Sequence, residues 1–116
     1  MDIEKVRSWC LKKQGVTESL PFNEDTPVYK VCGKIFLLLN INPPFSINIK
    51  CDPELAVELR ERYEEVTPGY HMNKVHWNTV MLDGSIPDKY IYEWIDLSYN
   101  LVNNSISKKV KENFKN

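Results

Sequence analysis

The chain has 116 residues, 42% hydrophobic and 27% charged, with 15 basic against 16 acidic side chains and a net charge of −1. That length and balance suit one globular domain with one core, and exclude a chain that grips duplex DNA by bulk positive charge, so any basic footprint must be local. No apolar run approaches the roughly 18 residues of a membrane span, and residues 1 to 20 hold no apolar signal-like segment, which predicts a cytoplasmic location.

Residues 2 to 14 read as a helix. Asp2 can cap it, and Ile3, Val6 and Cys10 share one face. Gly15 stops it, with Lys12 and Lys13 in the last turn. Residues 16 to 27 hold two prolines and scattered polar groups without periodicity, and read as a loop. Residues 28 to 40, VYKVCGKIFLLLN, read as a hairpin whose tight turn is Gly33-Lys34. A proline turn follows at residues 41 to 44. In FSINIK, Phe45, Ile47 and Ile49 point one way, and Ser46, Asn48 and Lys50 the other. One face of the sheet should therefore be buried and the other wet.

Asp52-Pro53 opens a second helix, with Leu55, Ala56, Leu59 and Tyr63 as its buried stripe, and Thr67-Pro68-Gly69 ends that element. A strand is expected from Trp77 to Leu82, then a turn at Asp83-Gly84. A third helix begins near Pro87, with Ile91, Trp94, Ile95, Ser98, Leu101 and Val102 at helical spacing. Residues 105 to 116 are lysine-rich and read as a tail, either a short frayed helix or loose. The layout is α+β: an antiparallel sheet with helices packed on one face. Residues 1 to 104 form the domain.

The stretch PGYHMNKVHWNTV, residues 68 to 80, gathers both histidines, a tryptophan, a tyrosine, two asparagines and a lysine. His71 and His76 are five apart. That fits neither the i, i+4 of a helix face nor the i, i+2 of a strand face, and a third ligand is missing, so no metal is expected. Three cysteines about twenty residues apart read as buried thiols rather than a disulfide frame. Cys51 precedes a helix start, where a thiolate would be favoured, but Asp52 already holds the cap. No GxSxG elbow and no glycine-rich phosphate loop is present. These patterns give no reason to expect an enzyme or a cofactor.

Binding is the better fit. Tyr70, His71, Asn73, Lys74, His76 and Asn78 can supply hydrogen bonds, stacking rings and a phosphate contact. Lys30, Lys34 and Lys50 add positive charge. Trp77 is expected in the core, bracing the sheet together with one of the histidines.

The segments GKIF (33 to 36), SINIKCDPELAVELRERY (46 to 63), PGYHMNKVHWNTVMLDGSIPD (68 to 88) and IDLSYNLV (95 to 102) resemble the MmcQ/YjbR family, a group of short prokaryotic proteins. The chain departs from the family pattern at Val75, where many members carry a further basic residue. The resemblance implies a CyaY-like, double-wing α+β fold and a DNA-binding role. The family motif positions are matched at Lys30, Gly33, Lys34, Lys50, Cys51, Asp52, Pro53, Tyr70, His71, Asn73, Lys74, His76, Trp77, Asn78, Asp83 and Gly84, a set that includes every contact candidate named above. Frataxin-type iron binders share this fold type, but their acidic first helix is not matched here, where Lys5, Arg7, Lys12 and Lys13 outnumber Asp2 and Glu4. The expected function is thus a small monomeric DNA-binding module with weak, salt-dependent affinity. The alternative is a protein- or small-ligand-binding module that uses the same polar sheet face.

Overall fold

A computed structural model describes residues 1–69 and 72–114. The first helix, α1, spans Ile3–Leu11, and Asp2 Oδ1 accepts from the Lys5 amide at 2.8 Å. It buries Val6 and Cys10. It ends earlier than expected, because the Lys13 amide bonds back to the Cys10 carbonyl in a tighter turn.

Strand β1, Val16–Ser19, lies where the sequence suggested a loop. It is an edge strand with three of its four residues exposed, so no hydrophobic alternation marks it. Its evidence is the antiparallel ladder to β2, Val28–Val31, in which Glu18 faces Tyr29. Strand β3, Lys34–Asn40, follows through a two-residue turn, with Val31 opposite Lys34. The turn is Cys32-Gly33, one residue earlier than expected. Cys32 (φ 47°) and Gly33 (φ 84°) are both left-handed, as the twist of a tight hairpin requires. A bulge sets Tyr29 against Leu37 but Lys30 against Ile35, leaving Phe36 as the extra residue. Phe36 and Leu37 consequently both join the main core.

Strand β4 is Ser46–Lys50, and helix α2 is Pro53–Arg62, with Pro53 in its first turn. Ala56 and Leu59 are buried and Leu55 and Tyr63 pack against the core, the stripe read from the sequence. Strand β5, Val66–Pro68, was not legible as a strand. It has three residues, and its proline is tolerated because it lies on the sheet edge. It pairs with β6, Trp77–Met81. At Gly69 a Cβ would lie 2.8 Å from Trp77 Cβ, so only glycine lets the chain pass this close to β6.

Helix α3 spans Asp88–Asn104 and buries Ile91, Trp94, Ile95, Ser98 and Val102, whereas Leu101 is exposed. Ser98 serves as a bolt between helix and sheet. Its hydroxyl donates to the Phe36 carbonyl at 2.5 Å and accepts from the Lys50 amide at 2.8 Å. The last stretch forms α4, Lys108–Asn113, capped by Ser107. Just ahead of it, Ile106 is buried in the core.

The sheet is antiparallel, in the order β1-β2-β3-β4-β6-β5. Helices α1, α2 and α3 all pack on the face that bears Ile47 and Ile49. The other face carries no helix, but it is not simply wet. Val28, Leu38 and Trp77 form a second buried cluster there, with Ile35 and Met72 packed against it. Ser46 and Asn48, expected in water, are each only 7% exposed. The loop residues Thr26 and Pro44, and Pro68 at the end of β5, stand beside them and make this face a trough.

Candidate nucleic-acid interface

Directly opposed residues of neighbouring strands share a face. The register therefore sorts the candidate residues. Lys50 faces Trp77, Asn48 faces Thr79 and Ser46 faces Met81, all on the helix-free face. Lys30, opposite Ile35, is on the same face, and Leu37 opposite Ile49 aligns Lys50 with the adjoining part of β3. Lys30 and Lys50 thus lie toward one end of the face, two strands and roughly 10 Å apart. The other strand positions of this face are Thr17, Ser19, Val28, Ile35, Leu38, Asn40, Ser46, Asn48, Thr67, Trp77, Thr79 and Met81. None is acidic. Among the acids, Glu18 turns to the covered side and six line residues 52 to 65 on and after α2, while Glu24 and Asp25 stand in the segment between Phe22 and Thr26 that borders this face.

Lys34 does not join this group. It pairs with Val31 at the tip of the hairpin, on the side of the main core. Asn73 and Lys74 are exposed in the turn that leads into β6. The Asn73 side chain shapes that turn by accepting from the Val75 amide at 2.8 Å, and its carbonyl accepts from the Trp77 amide at 2.9 Å. The Lys74 ammonium extends from a backbone fixed through its own carbonyl, which accepts from Arg60. His76 is half-buried, and its carbonyl accepts from the Cys51 amide at 2.6 Å. Tyr70 and His71 lie outside the described residues.

Asn78 has a different place from the one expected. It is fully buried on the covered face, opposite Ile49. Its amide nitrogen donates to the Ala56 carbonyl at 3.2 Å, and its oxygen accepts from Arg60 Nε at 2.6 Å. Arg60 also reaches the carbonyls of Lys74 and Trp77. One guanidinium thereby ties α2 to the turn that presents Lys74. Arg60 had no marker in the sequence beyond its position on a charged helix, and only the fold shows its role. Trp77 is buried as expected, but among Val28 and Leu38 on the helix-free face.

Cys51 is buried, and burial pushes its thiol up to about 11, against a lowering influence from Arg60. It therefore stays protonated at neutral pH and is not an activated nucleophile.

Two recesses open on the helix-free face. One, of about 340 Å³, is lined by Ser46, Asn48, Thr79, Pro44, Thr26 and neighbours. The second, of about 330 Å³, lies between Phe22, Asn23, Leu38 and Met72 and shares Thr26 with the first. The alternation in FSINIK pointed to Ser46 and Asn48. Nothing local in the proline-containing segment 16 to 27 pointed to Phe22 or Thr26.

Residues 11–101 match the YjbR family model. The uncharacterized protein YjbR of Escherichia coli is 38% identical over 101 residues, which cover 85% of each chain. The uncharacterized protein YbdF of Escherichia coli O157:H7 is 37% identical over 91 residues, covering 77% of this chain and 74% of the relative. The crystal structure of Deinococcus radiodurans protein DR2400, a DUF419 domain, superposes with a TM-score of 0.89 at 34% identity, covering 97% of this chain and 86% of that one. A Pseudomonas syringae crystal structure gives a TM-score of 0.77 at 30% identity, with 88% of this chain and 99% of that one covered. With most of its length matched by the family model and by relatives of this identity, the chain belongs to the YjbR family.

Proposed function

We propose that this protein is a nucleic-acid-binding module, acting in the cytoplasm as a monomer, that uses the helix-free face of its sheet. DNA is its ligand in this reading. One observation carries it: every strand position of that face is neutral or basic, with Lys30 and Lys50 toward one end. Lys74 adds a third positive charge from a turn anchored by Arg60. In a chain of net charge −1, this segregation is what a phosphate backbone would recognise.

Three lysines predict modest affinity. Neutralising about three phosphates gives a log–log salt slope near −2.7 for duplex DNA. Fluorescence anisotropy of labelled DNA from about 20 to 200 mM salt tests this, beside a Lys30→Glu/Lys50→Glu/Lys74→Glu variant. Salt-sensitive binding that the variant loses supports the reading. Absence of binding at the lowest salt would sink it.

The recesses on the same face also favour a second reading, a small-ligand module, since each is near the lower end of the roughly 300–1,000 Å³ that ligand pockets span. A thermal-shift screen of metabolites against protein that ignores DNA would favour that reading instead. In both readings the chain binds rather than catalyses.

A further inference from the structure

We infer that the trough on the helix-free face receives an unstacked base of a single-stranded nucleic acid, with the adjoining phosphate on Lys50. This rests on the nucleic-acid reading above and says which form of nucleic acid fits.

The shape argues first. A duplex is read by an element that protrudes into its major groove, a helix or a two-stranded ribbon. This face does the opposite. Its centre is recessed between the segment carrying Phe22 and Thr26 and the prolines Pro44 and Pro68. A rigid duplex would span the rims and touch few groups on the floor. A flexible strand can lower one base into the trough.

The chemistry of the floor argues second. Asn48 Oδ1 accepts from Thr79 Oγ1 at 2.6 Å, which leaves its amide nitrogen with no partner among the described residues. The Ser46 hydroxyl likewise has none among them. No buried side-chain nitrogen or oxygen among the described residues lacks a partner, so both groups must reach the trough surface. A base edge offers the acceptors and donors these two groups would meet. The adjoining recess, which shares Thr26 with this floor, is apolar, with Met72 and the buried Leu38 at its base, and Phe22, 64% exposed on its rim, is placed to stack on a base that reaches across.

Spacing argues third. Ser46, Asn48 and Lys50 lie in line on β4, each roughly 7 Å from the next. A base over Ser46 and Asn48 therefore puts its phosphate within reach of the Lys50 ammonium.

The test compares four probes at about 20 mM salt, all by anisotropy or competition. They are a 12-nucleotide single strand, the duplex of the same sequence, an abasic strand of the same length, and a free mononucleotide. The single strand should bind at least tenfold tighter than the duplex and the abasic strand, and the mononucleotide should compete only weakly. Phe22→Ala changes an exposed side chain, so the fold should survive, as circular dichroism will verify. It should lose about tenfold on the single strand and nothing on the duplex. Equal binding of duplex, abasic strand and single strand would overturn the base pocket while leaving the phosphate-binding face intact. A mononucleotide that competes as well as the strand would overturn it in favour of a free nucleotide. Unchanged single-strand affinity in Phe22→Ala would remove the stacking that the pocket requires. Binding of none of the four would remove both readings together.

Discussion

The two faces of the sheet are built from the same strands but organised by different forces. On the covered face, Phe36, Leu37, Ile47, Ile49 and Val80 meet three helices and are almost wholly removed from water. The polar groups admitted there, Ser98 and Asn78, are bonded to backbone carbonyls, to the Lys50 amide or to Arg60. On the helix-free face a small cluster around Val28, Leu38 and Trp77 sits beside Ser46 and Asn48, whose hydrogen-bonding capacity is only partly used. The first arrangement stabilises the fold, because each buried polar group is satisfied inside it. The second leaves hydrogen-bonding capacity for a ligand, which is what a binding surface requires. Side chains facing opposite ways along one strand thus separate a closed core from a surface with polar groups to spare.

Several substitutions can break that division. The largest effect is expected in the main core: Ile49→Ala should cost about 4 kcal/mol and Leu38→Ala, on the other face, only about 2 kcal/mol, measured by urea unfolding. Equal costs would mean that the small cluster is packed as tightly as the main core. Asn78→Leu should cost about 3 kcal/mol, because it strands the Arg60 guanidinium and the Ala56 carbonyl that Asn78 now satisfies. It should also loosen the turn carrying Lys74, seen as faster amide exchange at Val75 and Trp77. A stability change below about 0.5 kcal/mol would class Asn78 with ordinary surface residues.

A reactivity test separates the core from its surroundings. Burial pushes the Cys10 thiol up to about 12 and that of Cys51 up to about 11, while Cys32 sits partly exposed at the hairpin turn. A thiol reagent at pH 8 should modify one cysteine promptly and the other two only after denaturant is added. Prompt modification of all three would contradict so closed a core.

The smallest effect concerns the rim of the covered face. Burial opposes the charge of Glu18, but hydrogen bonds from Tyr29 (2.5 Å) and Arg7 (2.9 Å) outweigh it and hold the carboxyl below its ordinary range. A depressed folded value means that the charged form stabilises the fold. That contribution is present above the ordinary glutamate value and is lost as pH falls through it towards the folded value. Urea midpoints of wild type and Glu18→Gln should therefore differ at pH 6 and converge in acid. A gap that widened in acid would reverse the sign. Tyr29 is shifted upward, by burial and then by its bond to Glu18, so its contribution is lost only in strong alkali.

Much of the scaffold was legible in local chemistry. The Asp2 cap, the Asp52-Pro53 start, the period of α3 and the alternation of Phe45 to Lys50 all act over a few residues, and each appears in the structure. Strands β1 and β5 were not legible. An exposed edge strand needs no apolar alternation, and a three-residue strand has no room for one. The candidate site was half legible. Of the lysines grouped by type, Lys30 and Lys50 share the helix-free face and Lys74 is exposed in the turn before β6, whereas the hairpin turns Lys34 to the other side. Asn78 and Trp77 show the limit most plainly. The sequence placed Trp77 in the core and Asn78 among the contact residues, whereas the register buries Trp77 in the small cluster of the helix-free face and Asn78 beneath the helices.

The sequence by itself determined the fold class, the main helices and the two-faced character of β4, because capping, periodicity and alternation are short-range properties. It also carried the family, through a long run of matched residues. Only the tertiary structure decided which polar groups are consumed inside the fold and which are left over. That assignment depends on partners distant in sequence: Arg60 for Asn78, Thr79 for Asn48 and Ser98 for the Lys50 amide. Hydrogen bonds are satisfied by whatever the register brings within about 3 Å, and register is set by the whole sheet at once.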